Sequence, residues 1–195
     1  MNIMSIAKKF NLRLLIPLSI SATLHFISLR SPWWIMNEYW LNHSYILASR
    51  TLFILPSVYV ILSEEYVVEQ ILPINGKIAA SANYCMFTIL ISIYLQLAAI
   101  MLLLMRKETK NIIKLIVSSS ILITSAPLIF YLTLESTHVG WPLFNSISGS
   151  LIDVPPGKRV EWNLAVGFYS SILASIMSIT TLILNFKSCI KSRNS

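Results

Sequence analysis

The chain has 195 residues, 55% of them hydrophobic and only 12% charged, with a formal net charge of +7. Soluble domains carry about a quarter charged residues, so a fully water-exposed surface cannot be assembled, and one integral membrane domain over residues 1–195 is expected. The basic excess does not indicate nucleic acid, because Lys and Arg cluster at the ends of apolar runs, where they orient helices.

In chain order, Lys8, Lys9 and Arg13 precede sixteen uncharged residues, 14–29, closed by Arg30. They predict a first span over 12–31, with the two arginines snorkelling and Trp33 and Trp34 marking the interface. The basic and apolar segments imitate a secretory signal. No small-x-small pair follows the apolar run, however, so the span is read as uncleaved. His25, alone among imidazoles in any expected span, is assigned to a hydrogen bond with a neighbour or to the interface.

Residues 32–79 then form a long outer loop. It carries an aromatic group (Trp33, Trp34, Tyr39, Trp40, Tyr45), an apolar stretch at 52–62 and the acids Glu64, Glu65 and Glu69. The thirteen uncharged residues 51–63, interrupted by Pro56, are too few to cross a bilayer. The stretch is expected either as an interfacial or re-entrant helix or as a segment packing across the tops of the spans.

The 28 residues 78–105 contain no charge and predict a span over 80–105 with Ser92, Gln96 and Ala99 on one face. A basic cytoplasmic turn, 106–112, leads to a span over 113–134 rich in serine and threonine and loosened by Pro127. The second outer loop, 135–162, is punctuated by Gly140, Pro142, Gly149 and Pro155-Pro156-Gly157, the last suited to a turn with positive φ at the glycine. A short strand or hairpin is expected within 146–154. The last span, 163–186, carries Gly167, Ser171 and Ser175 at four-residue spacing, with Ser170, Ala174 and Ser178 repeating it. Such small-residue strips let helices approach closely.

Charge parity selects four spans. With both termini cytoplasmic, ten Lys/Arg and one acid lie inside, against five Lys/Arg and seven acids outside. A fifth span at 51–63 would push the two later basic clusters outward, against the positive-inside bias. The expected fold is therefore all-α, a polytopic four-transmembrane-helix bundle with both termini cytoplasmic.

Catalytic, cofactor and metal sites are not expected. No HExxH, CxxC, phosphate-binding glycine loop or nucleophile elbow is present, and Cys85 and Cys189 fall at opposite ends of this topology. The three long uncharged runs also argue against a small transporter, whose path would place ionisable groups in the membrane.

The layout resembles that of bacterial membrane immunity proteins against pore-forming colicins of the A type. The local likeness rests on Leu134-Glu135-Ser136-Thr137-His138-Val139-Gly140-Trp141-Pro142, on Leu55-Pro56-Ser57, on Pro127 with Phe130-Tyr131, and on the serine-rich last helix from Phe168. The resemblance implies a non-enzymatic protein in the lipid bilayer that binds the transmembrane part of a pore-forming bacteriocin and prevents channel opening. Glu135, Thr137, Gly140, Trp141 and Pro142 in the second loop, with Ser171 and Ser175 on the last helix, are the expected partner contacts.

Four spans and a first loop beginning Pro32-Trp33-Trp34 also resemble claudin-type adhesion or junction tetraspans. The sequence departs from that family in having no cysteine in the loop, where a pair is expected.

Overall fold

The computed structural model describes residues 3–41, 46–55, 57–63, 70–73, 76–105, 109–136, 148–152 and 157–193. Among the described residues there are four helices: α1 (Ile3–Arg30), α2 (Gly76–Leu104), α3 (Thr109–Ser136) and α4 (Val166–Arg193). Three contain stretches long and apolar enough to cross a membrane, Gly76–Leu104, Asn111–Ser136 and Val166–Asn185. α1 has the length, but its uncharged part is the shorter 14–29 segment. α1, α2 and α3 start nine, four and four residues before the expected spans, since helical hydrogen bonding continues past the apolar run, whereas α4 starts three residues after its expected start because a strand runs to Leu164.

The all-α expectation is overturned. Residues assigned to the two loops form β1 (Trp34–Trp40), β2 (Ile46–Ile54), β3 (Ser57–Ser63), β4 (Gln70–Pro73), β5 (Gly149–Ile152) and β6 (Lys158–Leu164). They make one antiparallel sheet in the order β4-β3-β2-β1-β6-β5. The apolar stretch at 52–62 is neither an interfacial nor a re-entrant helix. It is the end of β2 and most of β3, with Ile54 paired to Ser57. Valine, isoleucine, tyrosine and phenylalanine dominate it, and these residues favour a pleated, half-buried backbone. The short strand expected within 146–154 is present as β5.

The chain divides into two compact units. Unit 1 comprises 1–26, 88–126 and 170–195; unit 2 comprises 27–87 and 127–169. In unit 1, Leu14 and Leu18 of α1, Ala99 and Leu103 of α2, and Ile112 and Ile116 of α3 form a buried cluster, with Leu182 and Leu184 of α4 against it. Polar contacts join the same segments. Ser92 and Ser119 hydroxyls lie 2.7 Å apart, as do Ser120 and Ser178 at 2.6 Å, and Ser175 Oγ reaches the Ile123 carbonyl at 3.3 Å. α3 runs through Pro127 without a break.

Unit 2 is organised around Trp33, which is fully buried. Its indole N–H donates to the Ser28 carbonyl at 2.8 Å, and its ring meets Phe130 and Phe168 edge-on at 4.9 and 5.9 Å between centroids. Backbone bonds tie the same point to the sheet and to α4: Trp33 N–H to the Leu52 carbonyl, Ala165 N–H to that of Trp33, and Gly167 N–H to that of Pro32. Gly167 is required there. A Cβ would strike Trp33 Cδ1 and lie 2.6 and 2.8 Å from the carbonyl oxygens of Ser31 and Pro32. Gly157, with φ +83°, opens β6 in the left-handed region, as the Pro-Pro-Gly turn predicts, and its carbonyl accepts from Leu41 N–H.

Candidate recognition surface

Successive side chains of a strand point to opposite faces, so register sorts the sheet into two chemically different surfaces. On one face Trp34 pairs with Leu52 and Leu164, Met36 with Arg50 and Trp162, and Glu38 with Ala48 and Val160. Trp34, Met36, Leu52, Val160 and Trp162 are buried. Toward the other end of β1 the same face turns polar. Glu38 lies 3.8 Å from Arg50 and 3.9 Å from Lys158, whose ammonium also stands 5.3 Å from the centroid of Trp40. Two cations meet one carboxylate, which leaves a net positive charge beside a partly exposed indole. The pairs are long and partly solvated, so each contributes about 0–1 kcal/mol to stability.

The opposite face carries Ile35, Asn37 and Tyr39 beside Thr51 and Ser49 on β2 and Asn163, Glu161 and Arg159 on β6. Arg159 pairs with Glu161 and covers Tyr39, 5.4 Å from its ring centroid. An open cleft of about 320 Å³ lies on this face. Ile35, Asn37, Glu161 and Asn163 line it, with Ala165, Val166 and Tyr169 at the start of α4. The carboxamides of Asn37 and Asn163 have no hydrogen bond recorded among the described residues. Two amides, a carboxylate and a phenol among apolar side chains can hydrogen-bond a polypeptide or another polar ligand. Among the described residues no group of His, Cys, Asp and Glu is arranged to hold a metal ion.

Inside unit 1 several polar side chains bond to one another, while His25 Nε2, Ser171 Oγ and the Asn185 carboxamide have no hydrogen-bond partner among the described residues. Gln96, fully buried, donates its amide to Ser21 Oγ at 3.0 Å and accepts from His25 Nδ1 at 3.1 Å, while Ser21 donates to the Ala174 carbonyl at 2.9 Å. This arrangement places the imidazole proton on Nδ1 and leaves Nε2 as a bare acceptor. The expected hydrogen bond of His25 to a neighbour is therefore present. No Asp, Glu, Lys or Arg is among the buried residues described.

The expected contact residues separate into three groups. Glu135 is exposed in the last turn of α3. Ser171 and Ser175 are buried in unit 1, with Ser175 Oγ donating to the Ser171 carbonyl at 2.9 Å, so they face the chain's own helices. Thr137, Gly140, Trp141 and Pro142 lie outside the described residues, as do His43 and His138. Sequence reasoning missed Asn37, Glu38, Arg50, Lys158 and Asn163 as neighbours. The available signal was the alternation of Trp34, Met36 and Glu38 with Ile35, Asn37 and Tyr39, and of Val160 and Trp162 with Glu161 and Asn163.

The chain matches no protein-family model and no curated protein. Its class is accordingly defined by architecture alone: a helical protein with three membrane-length apolar helices and a six-stranded antiparallel sheet.

Proposed function

We propose that this is a multi-pass inner-membrane binding protein, crossing four times with both termini cytoplasmic, that recognises the pore-forming domain of a colicin-like bacteriocin and keeps its channel closed. The observation that carries a binding role is the interior of unit 1, where Ser21, His25, Gln96, Ser92, Ser119, Ser120 and Ser178 spend their hydrogen bonds on one another. A conducting or proton-relaying path would place carboxylates or cations there, and among the buried described residues of unit 1 the ionisable side chain is His25 alone. The partner class comes from the sequence resemblance around Glu135, and the exposed Glu135 at the end of α3 is compatible with contact. A voltage-driven channel gains about 2.3 kcal/mol per elementary charge per 100 mV. A partner that holds it shut must therefore prefer the closed form by a comparable amount for each gating charge.

The test is to express the full chain in sensitive bacteria, challenge them with a panel of pore-forming colicins and record potassium efflux. Selective loss of efflux with one toxin, with receptor binding and import intact, is the expected result. Efflux unchanged across the panel would refute the reading.

A tetraspan adhesion or junction role is the second reading, and pairing of β1 with β6 favours it. That pairing fuses the segments after the first and third helices into one sheet, suited to a protein ligand outside the membrane. Cell–cell aggregation that depends on expression, without colicin protection, would select this reading over the first.

A further inference from the structure

α2 presents a row that neither reading uses. Leu90, Tyr94, Leu97, Met101 and Leu104 follow one another at spacings of four and three residues and are 41, 73, 45, 60 and 61% exposed. This is the seam spacing of two helices packed along their length. Tyr94 is anomalous within it. The uncharged run 78–105 is centred between residues 91 and 92, which puts Tyr94 about 4 Å from the midplane and about 11 Å from the nearer headgroup region. Tyrosine belongs at the interface, where its hydroxyl is hydrated. At this depth the hydroxyl reaches neither headgroups nor water, and the backbone acceptors of the helix are already used. Among the described residues the Tyr94 hydroxyl makes no hydrogen bond.

We propose that this row is the interface with a second copy of the chain, in a parallel dimer whose two-fold axis is normal to the membrane. Two copies inserted with the same topology hold every residue at the same depth, so the Tyr94 hydroxyls meet each other. Each hydroxyl can both donate and accept, and the isologous contact satisfies the group that lipid leaves unpaired. The five side chains expose on the order of 500 Å² in one copy, so the pair buries about 1,000 Å², the threshold for a specific interface. The inference rests on α2 spanning the membrane and not on the identity of the toxin or adhesion partner. A failed dimer therefore leaves that function standing, and failed protection leaves the dimer standing.

The experiment is subunit counting of the full-length, fluorescently labelled protein in liposomes over a series of protein-to-lipid ratios. Dimers are expected, with the dimer dissociation constant raised roughly three- to twenty-fold by Tyr94→Phe, the range of intramembrane hydrogen bonds. Tyr94→Gln, which can bond across the same axis, should retain the dimer. Ile121→Phe, on the exposed face of α3, should leave it unchanged. Monomers at every ratio, or dimers weakened equally by Ile121→Phe and Tyr94→Phe, would overturn the proposal. So would dimers indifferent to Tyr94→Phe, or monomers that engage Tyr94 only when a pore-forming toxin is added. The last result would assign the row to a foreign helix.

Discussion

Replacing Gly167 by alanine sets two effects of opposite sign against each other. In an unhindered helix, alanine is preferred to glycine by about 1 kcal/mol. At Gly167 the new Cβ would collide with Trp33 Cδ1 and sit 2.6 and 2.8 Å from the Ser31 and Pro32 carbonyl oxygens. The tryptophan could move only by giving up its 2.8 Å bond to Ser28 and its edge contacts with Phe130 and Phe168. The carbonyls belong to backbone that already accepts the 2.7 Å bond from Gly167 N–H. Overpacking costs about 1–3 kcal/mol, and a buried backbone bond pulled out of line costs about 1–3 kcal/mol more. The sum exceeds the propensity gain, so Gly167→Ala should destabilise unit 2 by roughly 1–5 kcal/mol. Thermal unfolding of the detergent-solubilised protein, followed by the near-ultraviolet circular dichroism of its tryptophans, reads this as a lower midpoint. Adding Trp33→Phe should not restore it, because the obstructing carbonyls remain. A midpoint equal to or above that of the unmodified protein would show that the backbone can yield and refute the reasoning.

Gly157→Ala should act through backbone conformation alone. φ is +83° and the nearest atom to a new Cβ is on Trp40, 3.8 Å away, so a loss of about 1–2 kcal/mol in the same thermal assay is expected. Gln96→Leu removes the acceptor of His25 and the donor to Ser21, and should destabilise unit 1 by about 1–3 kcal/mol. A double-mutant cycle with Ser21→Ala should return a coupling of about 0.6 kcal/mol and no more than about 1.7; zero coupling would break the proposed chain of bonds. Ser171 is fully buried and its hydroxyl has no hydrogen-bond partner among the described residues. Ser171→Ala should therefore leave steric-trap unfolding in detergent unchanged, whereas Ser171→Leu should lower stability by about 1–3 kcal/mol through overpacking. Equal behaviour of the two variants would mean that this face of α4 is not tightly packed.

The boundary between what was legible in sequence and what was not follows interaction range. Uncharged runs, basic flanks and small-residue spacing are properties of neighbouring residues on one helix. They located the three apolar helices, the small strip of Ser171 and Ser175, the positive-φ turn at Gly157 and the hydrogen bonding of His25. The strands at 34–63 are not legible from bilayer length and charge placement. An apolar run too short for a span, rich in β-branched and aromatic residues, fits two strands better than one interfacial helix.

Composition and charge spacing by themselves determined three helices long and apolar enough to cross a membrane, because that capacity requires only that a helix's own residues be apolar over sufficient length. The sheet was decided by tertiary structure, since β1 finds its hydrogen bonds on β6, more than a hundred residues away in the chain. Pairing at that separation depends on which strand edges the fold brings together, and the period of two in each strand says only that it needs a partner, not which one.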